Sequence, residues 1–327
     1  MRQVALGKPL PHVGRQQQRL VRRVGAECGR HRVLPSSARA YNCRICFLRR
    51  RLLARWRSFA IRTTALDWNA ADPVEVRRRI RAGRHRGQTG GLAPGYVQAN
   101  IAVLPAAYAD EFARFCQRNP KPCPLLAMSE PGRPRLPELA EDLDLRTDLP
   151  SYRIFRNGEH DSDVASIGAL WRDDFVAFAL GCSFSFEEAL VDAGLPLRHW
   201  NDGSVVPMYL TNLECAPAGR FRSRLVVSMR PFAPADAIRA VQITSRYPRV
   251  HGAPIHLGMP ERIGIDDIER AWQGDDPVVA SGELPVFWAC GVTPQVALRA
   301  ARPPLAITHT PAHMLVTDVR NASLAVG

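Results

Sequence analysis

Residues 101–128, IAVLPAAYADEFARFCQRNPKPCPLLAM, carry the pattern that decides the fold class. The apolar run at 101–104 is typical of a buried strand, and residues 106–118 have the apolar spacing of an amphipathic helix. Residues 123–128 then indicate a second strand. Strands that alternate with helices are typical of α/β proteins, so this stretch predicts an α/β fold.

The same alternation continues in both directions along the chain. Upstream, Asp72, Pro73 and Glu75 have the spacing of a helix N-terminus and predict a helix over residues 72–82. The glycine-rich stretch 87–95 predicts a loop that could cradle a ligand. Downstream, the pattern predicts strands at residues 152–155, 205–209, 225–229, 285–289 and 305–308, and helices at residues 186–193, 235–245, 266–272 and 294–301.

The first 70 residues differ from the rest of the chain in charge. Residues 1–70 contain 16 Lys or Arg and two acidic residues, whereas residues 71–327 contain 28 basic and 29 acidic residues. The formal charge of +13 and the pI of about 10.0 therefore describe the first segment. We expect residues 1–70 to be a disordered basic extension or the product of a start set too far upstream. Residues 71–327 are expected to form one α/β domain with a mixed sheet flanked by helices.

Two functions are conceivable for the basic first segment. The segment contains four possible zinc ligands in two close pairs, Cys28 with His31 and Cys43 with Cys46. It lacks the glycine turns and aromatic packing that accompany such sites. Its charge could neutralise phosphates in a nucleic acid. Because the segment lacks those features, we expect no metal. Because the rest of the chain is neutral, we do not expect nucleic acid to be the partner.

The composition argues against several other classes of protein. No apolar run approaches the roughly 18 residues that a membrane span needs. The phosphate-binding GxxxxGK[ST], dinucleotide-binding GxGxxG and metalloprotease HExxH motifs are absent from the sequence. Eight cysteines diluted over 327 residues, without a signal peptide, are expected to stay free thiols. We therefore predict a cytoplasmic protein without cofactor or membrane association, and the sequence is compatible with a homodimer.

Two segments combine an apolar run, a tight polar turn and a helix start. In FALGCSFSFEEAL the turn holds Cys182 and Ser183, and Ser185 is the predicted helix cap. In LPVFWACGVTPQVAL the turn holds Cys290, and Thr293 is the predicted cap. Helix N-termini at strand ends favour anions, so both turns predict a carboxylate site with Cys290 or Ser183 near a developing oxyanion.

A third turn ends the strand of LVVSMRPFAPADAI with Ser228 and Arg230. The planar guanidinium of Arg230 suits bidentate binding of a carboxylate. Cys182 and Cys290 would gain thiolate character at their helix N-termini. Both cysteines fit equally the role of small buried packing residues.

Histidines are concentrated late in the chain and are candidates for proton transfer. His251 and His256 lie in VHGAPIHLG, and His309 and His313 lie in ITHTPAHM. Pro311 prevents the second pair from forming an HxxxH motif on a helix. Each imidazole fits a structural hydrogen-bonding role as well as a catalytic one, and we expect His251 or His309 to move protons.

These segments also resemble a known family. GLAPGYVQAN, GCSFSFEEAL, VVSMRP, HGAPIHLG, ELPVFWACGVTPQ and THTPAHMLVTD are similar to the hydro-lyase family related to D-glutamate cyclase, from about residue 72 to the end of the chain. The resemblance implies two interlocked α/β subdomains and a lyase that eliminates water, akin to the enzyme that cyclises D-glutamate to 5-oxo-D-proline. One departure is Ala312, where the resemblance leads us to expect glycine.

We therefore expect a carbon–oxygen lyase that acts on a small carboxylate. The alternative is a non-catalytic protein that binds or senses such a carboxylate. The predicted catalytic residues are His251, His309, Cys290, Cys182 and Ser183, and the predicted substrate-binding residues are Arg230, Thr293, Ser228 and Ser185.

Overall fold

The computed structural model describes residues 72–326, which form two β-sheets with helices packed against them. The predicted α/β class is confirmed. Predictions for residues 1–70, including the candidate zinc ligands, lie outside the described residues. No helix among the described residues is long and apolar enough to cross a membrane.

Eleven strands and six α-helices make up residues 72–326. The strands are β1 (Tyr96–Pro105), β2 (Leu125–Met128), β3 (Tyr152–Arg156), β4 (Glu159–Val164), β5 (Phe175–Gly181), β6 (Met208–Glu214), β7 (Arg224–Phe232), β8 (His256–Leu257), β9 (Leu284–Ala289), β10 (Ala306–His309) and β11 (Leu315–Arg320). The helices are α1 (Pro73–Arg81), α2 (Ala106–Arg118), α3 (Phe184–Asp192), α4 (Arg198–Asp202), α5 (Pro234–Ser245) and α6 (Thr293–Ala301). Short 3-10 helices lie at Gly168–Leu170, Pro248–Val250, Pro260–Ile263 and Asn321–Leu324.

All strand pairs in the described residues are antiparallel. The large sheet has the order β2-β5-β1-β10-β3-β4, with β11 also paired to β1, and the small sheet has the order β6-β7-β9-β8. Ile101 of β1 lies opposite Ala179 of β5, and Val227 of β7 lies opposite Ala289 of β9. The sheets are thus antiparallel where we expected a mixed sheet. The reason is that a sequence pattern of alternating strands and helices shows where the strands are but not in which direction they pair. The connections between the strands decide the directions.

The two sheets exchange helices. Helix α3 follows β5 of the large sheet, but its Phe186 packs in the core of the small sheet, with ring centroids 5.7 Å from Trp288 of β9. Helix α6 follows β9 of the small sheet, but its Leu298 packs in a core of the large sheet with Phe178 of β5. Each sheet therefore buries a helix that the other sheet supplies, which confirms the expected pair of interlocked subdomains.

Helix α1 begins as the sequence predicts and is held by ion pairs. Asp72 accepts a hydrogen bond from the Val74 N–H at 2.9 Å. Arg77 is fully buried and lies 3.1 Å from Asp142 Oδ1 through Nε and 2.8 Å from Asp318 through Nη2. A buried charge is tolerated only with such partners, and Asp318 belongs to β11, so Arg77 holds α1 against β11.

One predicted helix is not formed, and one predicted strand begins later than expected. Residues 266–272 are not helical, because their backbone groups bond to strand β6. The Ile268 carbonyl accepts from the Tyr209 hydroxyl, and the Trp272 N–H donates to the Met208 carbonyl. The strand predicted at 205–209 begins only at Met208. Strands β4, β8 and β11 and helix α4 are additions that the sequence pattern does not predict.

Candidate active site

A cavity of about 170 Å³ lies where chain segments from both sheets meet. The glycine-rich loop, helix α4 with the residues after it, and the turns that follow β5, β9 and β10 form its wall. No Asp, Glu, Lys or Arg among the described residues lines it. Its polar lining includes Asn100, Cys182, Ser183, His199, His251, Cys290 and His309.

Two turns of the same geometry form part of this wall, one from each sheet. In residues 182–185, called turn A, the Cys182 carbonyl accepts from the Ser185 N–H at 3.2 Å. In residues 290–293, called turn B, the Cys290 carbonyl accepts from the Thr293 N–H at 3.0 Å. Turn A links β5 to α3 and turn B links β9 to α6, so the exchange of helices brings the two turns to one cavity.

The hydroxyls of Ser185 and Thr293 hold the turns to neighbouring strands. Ser185 Oγ accepts from the Gln98 N–H of β1 at 3.3 Å, and Thr293 Oγ1 accepts from the Val226 N–H of β7 at 3.0 Å. Neither side chain caps its helix or lines the cavity. The predicted caps are therefore wrong, and the structure does not bring these two predicted substrate-binding residues to the site.

The two cysteines line the cavity as neutral thiols. Burial raises the pKa of Cys182 to about 12, although the Phe184 N–H lowers it in part. Burial likewise raises the pKa of Cys290 to about 11, against a smaller opposite effect of the Val292 N–H. The expected thiolate character is wrong, because removal from water outweighs the helix N-terminus.

Arg230 is bound to protein groups and does not line the cavity. Its Nε donates to Glu187 Oε1 at 3.1 Å, and its Nη2 donates both to that oxygen and to Ser183 Oγ, the latter at 3.0 Å. Its Nη1 donates to Ser228 Oγ at 2.9 Å. Arg230 is only 2% exposed, and neither Arg230 nor Ser228, both predicted to bind substrate, lines the cavity.

Glu187 is the centre of this buried network. It accepts from His199 Nε2 at 3.0 Å and from Trp200 Nε1 at 2.7 Å, and so ties α4 to α3 and to Arg230 of β7. Burial raises the pKa of Glu187, but the charge of Arg230 and the contact with His199 hold the pKa well below its usual range. No signal in the sequence singles out Glu187, since its charge partner Arg230 lies 43 residues away.

His251 is buried in the cavity wall in a left-handed conformation, with φ 82°. Its Nδ1–H donates to the Lys121 carbonyl at 2.7 Å. Because a carbonyl can only accept, the proton of the neutral ring is on Nδ1, and Nε2 keeps its lone pair. Burial lowers the pKa of His251 to about 4, so the ring is neutral at pH 7.

His309 has the opposite tautomer. Its Nδ1 accepts from the Ile101 N–H at 3.1 Å, whereas the Ile101 carbonyl is farther away at 3.4 Å. The shorter contact, with the N–H, assigns the proton to Nε2, which is then a donor. Burial also lowers the pKa of His309 to about 4. Besides His199, which contacts Glu187, the cavity thus contains one imidazole that can accept a proton and one that can donate a hydrogen bond.

The other two candidate histidines lie outside the cavity wall. His256 belongs to strand β8 and contacts the Met259 carbonyl, and His313 contacts the Pro311 carbonyl. Ala312, found where glycine was expected, has φ 66°, and its carbonyl accepts from the Thr89 N–H at 2.9 Å. Within residues 72–326, no group of three or more His, Cys, Asp or Glu side chains is arranged to hold a metal ion.

The fold and the cavity define an α/β protein of two interlocked subdomains with a cavity at their junction. Residues 176–318 match the protein-family model described as D-glutamate cyclase. A relative from Bordetella petrii, named "Putative hydro-lyase", is 60% identical over 251 residues, which are 77% of this chain and 95% of the relative. A relative of the same name from Afipia carboxidovorans is 56% identical over 260 residues, which are 80% of this chain and 96% of the relative. Another, from Verminephrobacter eiseniae, is 58% identical over 260 residues, which are 80% of this chain and 95% of the relative. The chain belongs to this hydro-lyase family related to D-glutamate cyclase.

Proposed function

We propose that the protein is a carbon–oxygen lyase that eliminates water from a small carboxylate, and that D-glutamate is the first substrate to test. The observation that carries the proposal is the pair of buried neutral histidines, His251 and His309, with opposite tautomers in one cavity. Elimination of water needs a group that takes a proton and a group that stabilises charge on oxygen. The name of the matching family model motivates the choice of D-glutamate.

Backbone amides of turns A and B are suited to bind the carboxylates. Ser183 of turn A and Gly291 of turn B both line the cavity, and their N–H groups donate to no other described residue. Each lies at the N-terminal end of a nine-residue helix, where negative charge is favoured. Two equivalent donors, one from each turn, suit a substrate with two carboxylates.

His251 is the proposed proton carrier. In the elimination of water from a hydroxy acid, Nε2 takes one proton from carbon while the C–O bond breaks, and returns it to the departing hydroxide. In cyclisation of D-glutamate, the nitrogen bonds to the side-chain carboxyl carbon and one C–O bond of that carboxyl breaks. The ammonium group gives up two protons, His251 relays them in turn, and the oxygen leaves with both as water.

His309 is the proposed stabiliser of charge on oxygen. Because its pKa is lowered to about 4, the ring remains a neutral donor through Nε2–H at pH 7. A neutral imidazole can polarise an oxygen without giving up its proton completely. The free amides of turns A and B add to this stabilisation.

The test is an assay of the purified chain with D-glutamate and with small 2-hydroxy acids, with products identified by NMR. His251→Gln and His309→Gln should each lower the rate by about 10² to 10⁴-fold. His256→Gln is the matched control, since His256 lies outside the cavity wall, and should leave the rate unchanged. Absence of turnover by the wild type, or normal rates in both cavity variants, would contradict the proposal. Binding without product would support the alternative of a carboxylate sensor.

A further inference from the structure

Asn100 lies between turns A and B and has no part in the proton transfer described above. It belongs to β1, is 4% exposed and lines the cavity. Its Nδ2 donates at 2.7 Å to the carbonyl of Gly181, the residue before turn A. On its other side it contacts Gly291 of turn B so closely that a Cβ on Gly291 would overlap the amide group.

The contact with Gly181 fixes the orientation of the Asn100 amide. A carbonyl oxygen accepts and cannot donate, so the NH₂ group must face Gly181 and Oδ1 must face away from it. Among the described residues no group donates to Oδ1. Asn100 therefore presents a free acceptor on the wall of a cavity that no described carboxylate side chain lines.

We propose that Asn100 Oδ1 accepts a hydrogen bond from an amine or hydroxyl group on the carbon skeleton of the bound carboxylate, and so determines substrate specificity. The inference rests on the proposed function, which makes a small carboxylate the ligand of this cavity. A polar site rejects an analogue that lacks the matching donor, because its own acceptor is then left unpaired in a buried place.

The experiment is calorimetric binding of two pairs of ligands to the full chain. One pair is D-glutamate and glutarate, which lacks the amine, and the other is malate and succinate, which lacks the hydroxyl. The wild type should bind the donor-bearing member of at least one pair about tenfold more tightly. Asn100→Ser, which adds no bulk, and Asn100→Leu, of similar volume, should both reduce this ratio to about one.

Asn119→Ser is the matched control. Asn119 is also a buried asparagine, but its amide is satisfied by Phe115 and Ala216 outside the cavity. Its variant should keep the wild-type ratio even if it loses stability. A wild-type ratio retained in the folded Asn100 variants, or a wild-type ratio near one, would overturn the inference and leave the lyase proposal standing. A wild type that binds none of the four ligands and turns none over would overturn both.

Discussion

For His251 and His309, the backbone group that the ring meets decides which nitrogen carries the proton. His251 meets a carbonyl, that of Lys121, and His309 meets an N–H, that of Ile101. Two residues of one type thereby receive different chemistry from the backbone groups of their neighbours. The thiols of Cys182 and Cys290, in contrast, behave alike. Burial raises the pKa of both, although each lies at the N-terminal end of a helix.

Removing the charge of Glu187 should be costly, because Arg230 would remain buried without its partner. We expect Glu187→Gln, which keeps the shape of the side chain, to lower the free energy of unfolding by about 3–5 kcal/mol. Urea unfolding followed by tryptophan fluorescence measures this change. The matched control is Glu111→Gln, since Glu111 pairs with Arg220 at the surface. That variant should change stability very little, and equal effects of the two substitutions would contradict the assigned role.

Turns A and B are the elements that build the site. Each is held to the strand beside it by a hydroxyl, Ser185 to β1 and Thr293 to β7. Gly291 allows turn B to approach Asn100 closely, and Asn100 donates to the residue before turn A. The distance between the turns is therefore set by direct contacts through β1.

Gly291→Ala should disturb both turns, because a methyl group there would overlap the Asn100 amide. We expect a loss of about 1–3 kcal/mol in the free energy of unfolding, typical of overpacking, together with weaker ligand binding. Thermal unfolding and calorimetry measure the two effects. Gly87→Ala is the control, because a Cβ there meets only the His85 ring at an ordinary distance of 3.6 Å. A Gly291→Ala variant as stable as the wild type would contradict the close contact.

The sequence is informative about elements with a clear apolar period and uninformative about the others. The helix predicted at residues 106–118 has the same bounds as α2. β4, with the polar sequence EHDSDV, has no apolar alternation to reveal it. Of the site, Cys182 and Cys290 can be found from polar turns after apolar runs, and His251 and His309 from the concentration of histidines late in the chain. Glu187 and Asn100 cannot, because their partners come from distant parts of the chain.

At the scale of the whole molecule, burial of the two histidines links stability to pH. Both have a pKa of about 4 in the folded protein, against about 6.5 when unfolded. Between these values the unfolded chain binds more protons, so stability is complete above pH 6.5 and falls as the pH decreases toward 4. Each histidine contributes up to about 3 kcal/mol to this loss.

Urea unfolding at pH values from 7.5 to 4.5 tests this link. The double variant His251→Gln/His309→Gln should show a shallower dependence than the wild type over this range. Titration of Glu187 does not mask the effect. The pKa of Glu187 is lowered from its usual value of 4.5, so the stability that its charge contributes is lost only below pH 4.5. A wild-type profile that is flat from pH 7 to 5 would contradict the burial of neutral imidazoles.

The exchange of α3 and α6 between the sheets has a consequence for how this protein can change during evolution. Recombination that joined one sheet to a foreign partner would lose a covering helix and expose the apolar surface around Trp288 or Phe178. We therefore expect the two halves to be inherited together, and insertions between them to be tolerated only in exposed loops.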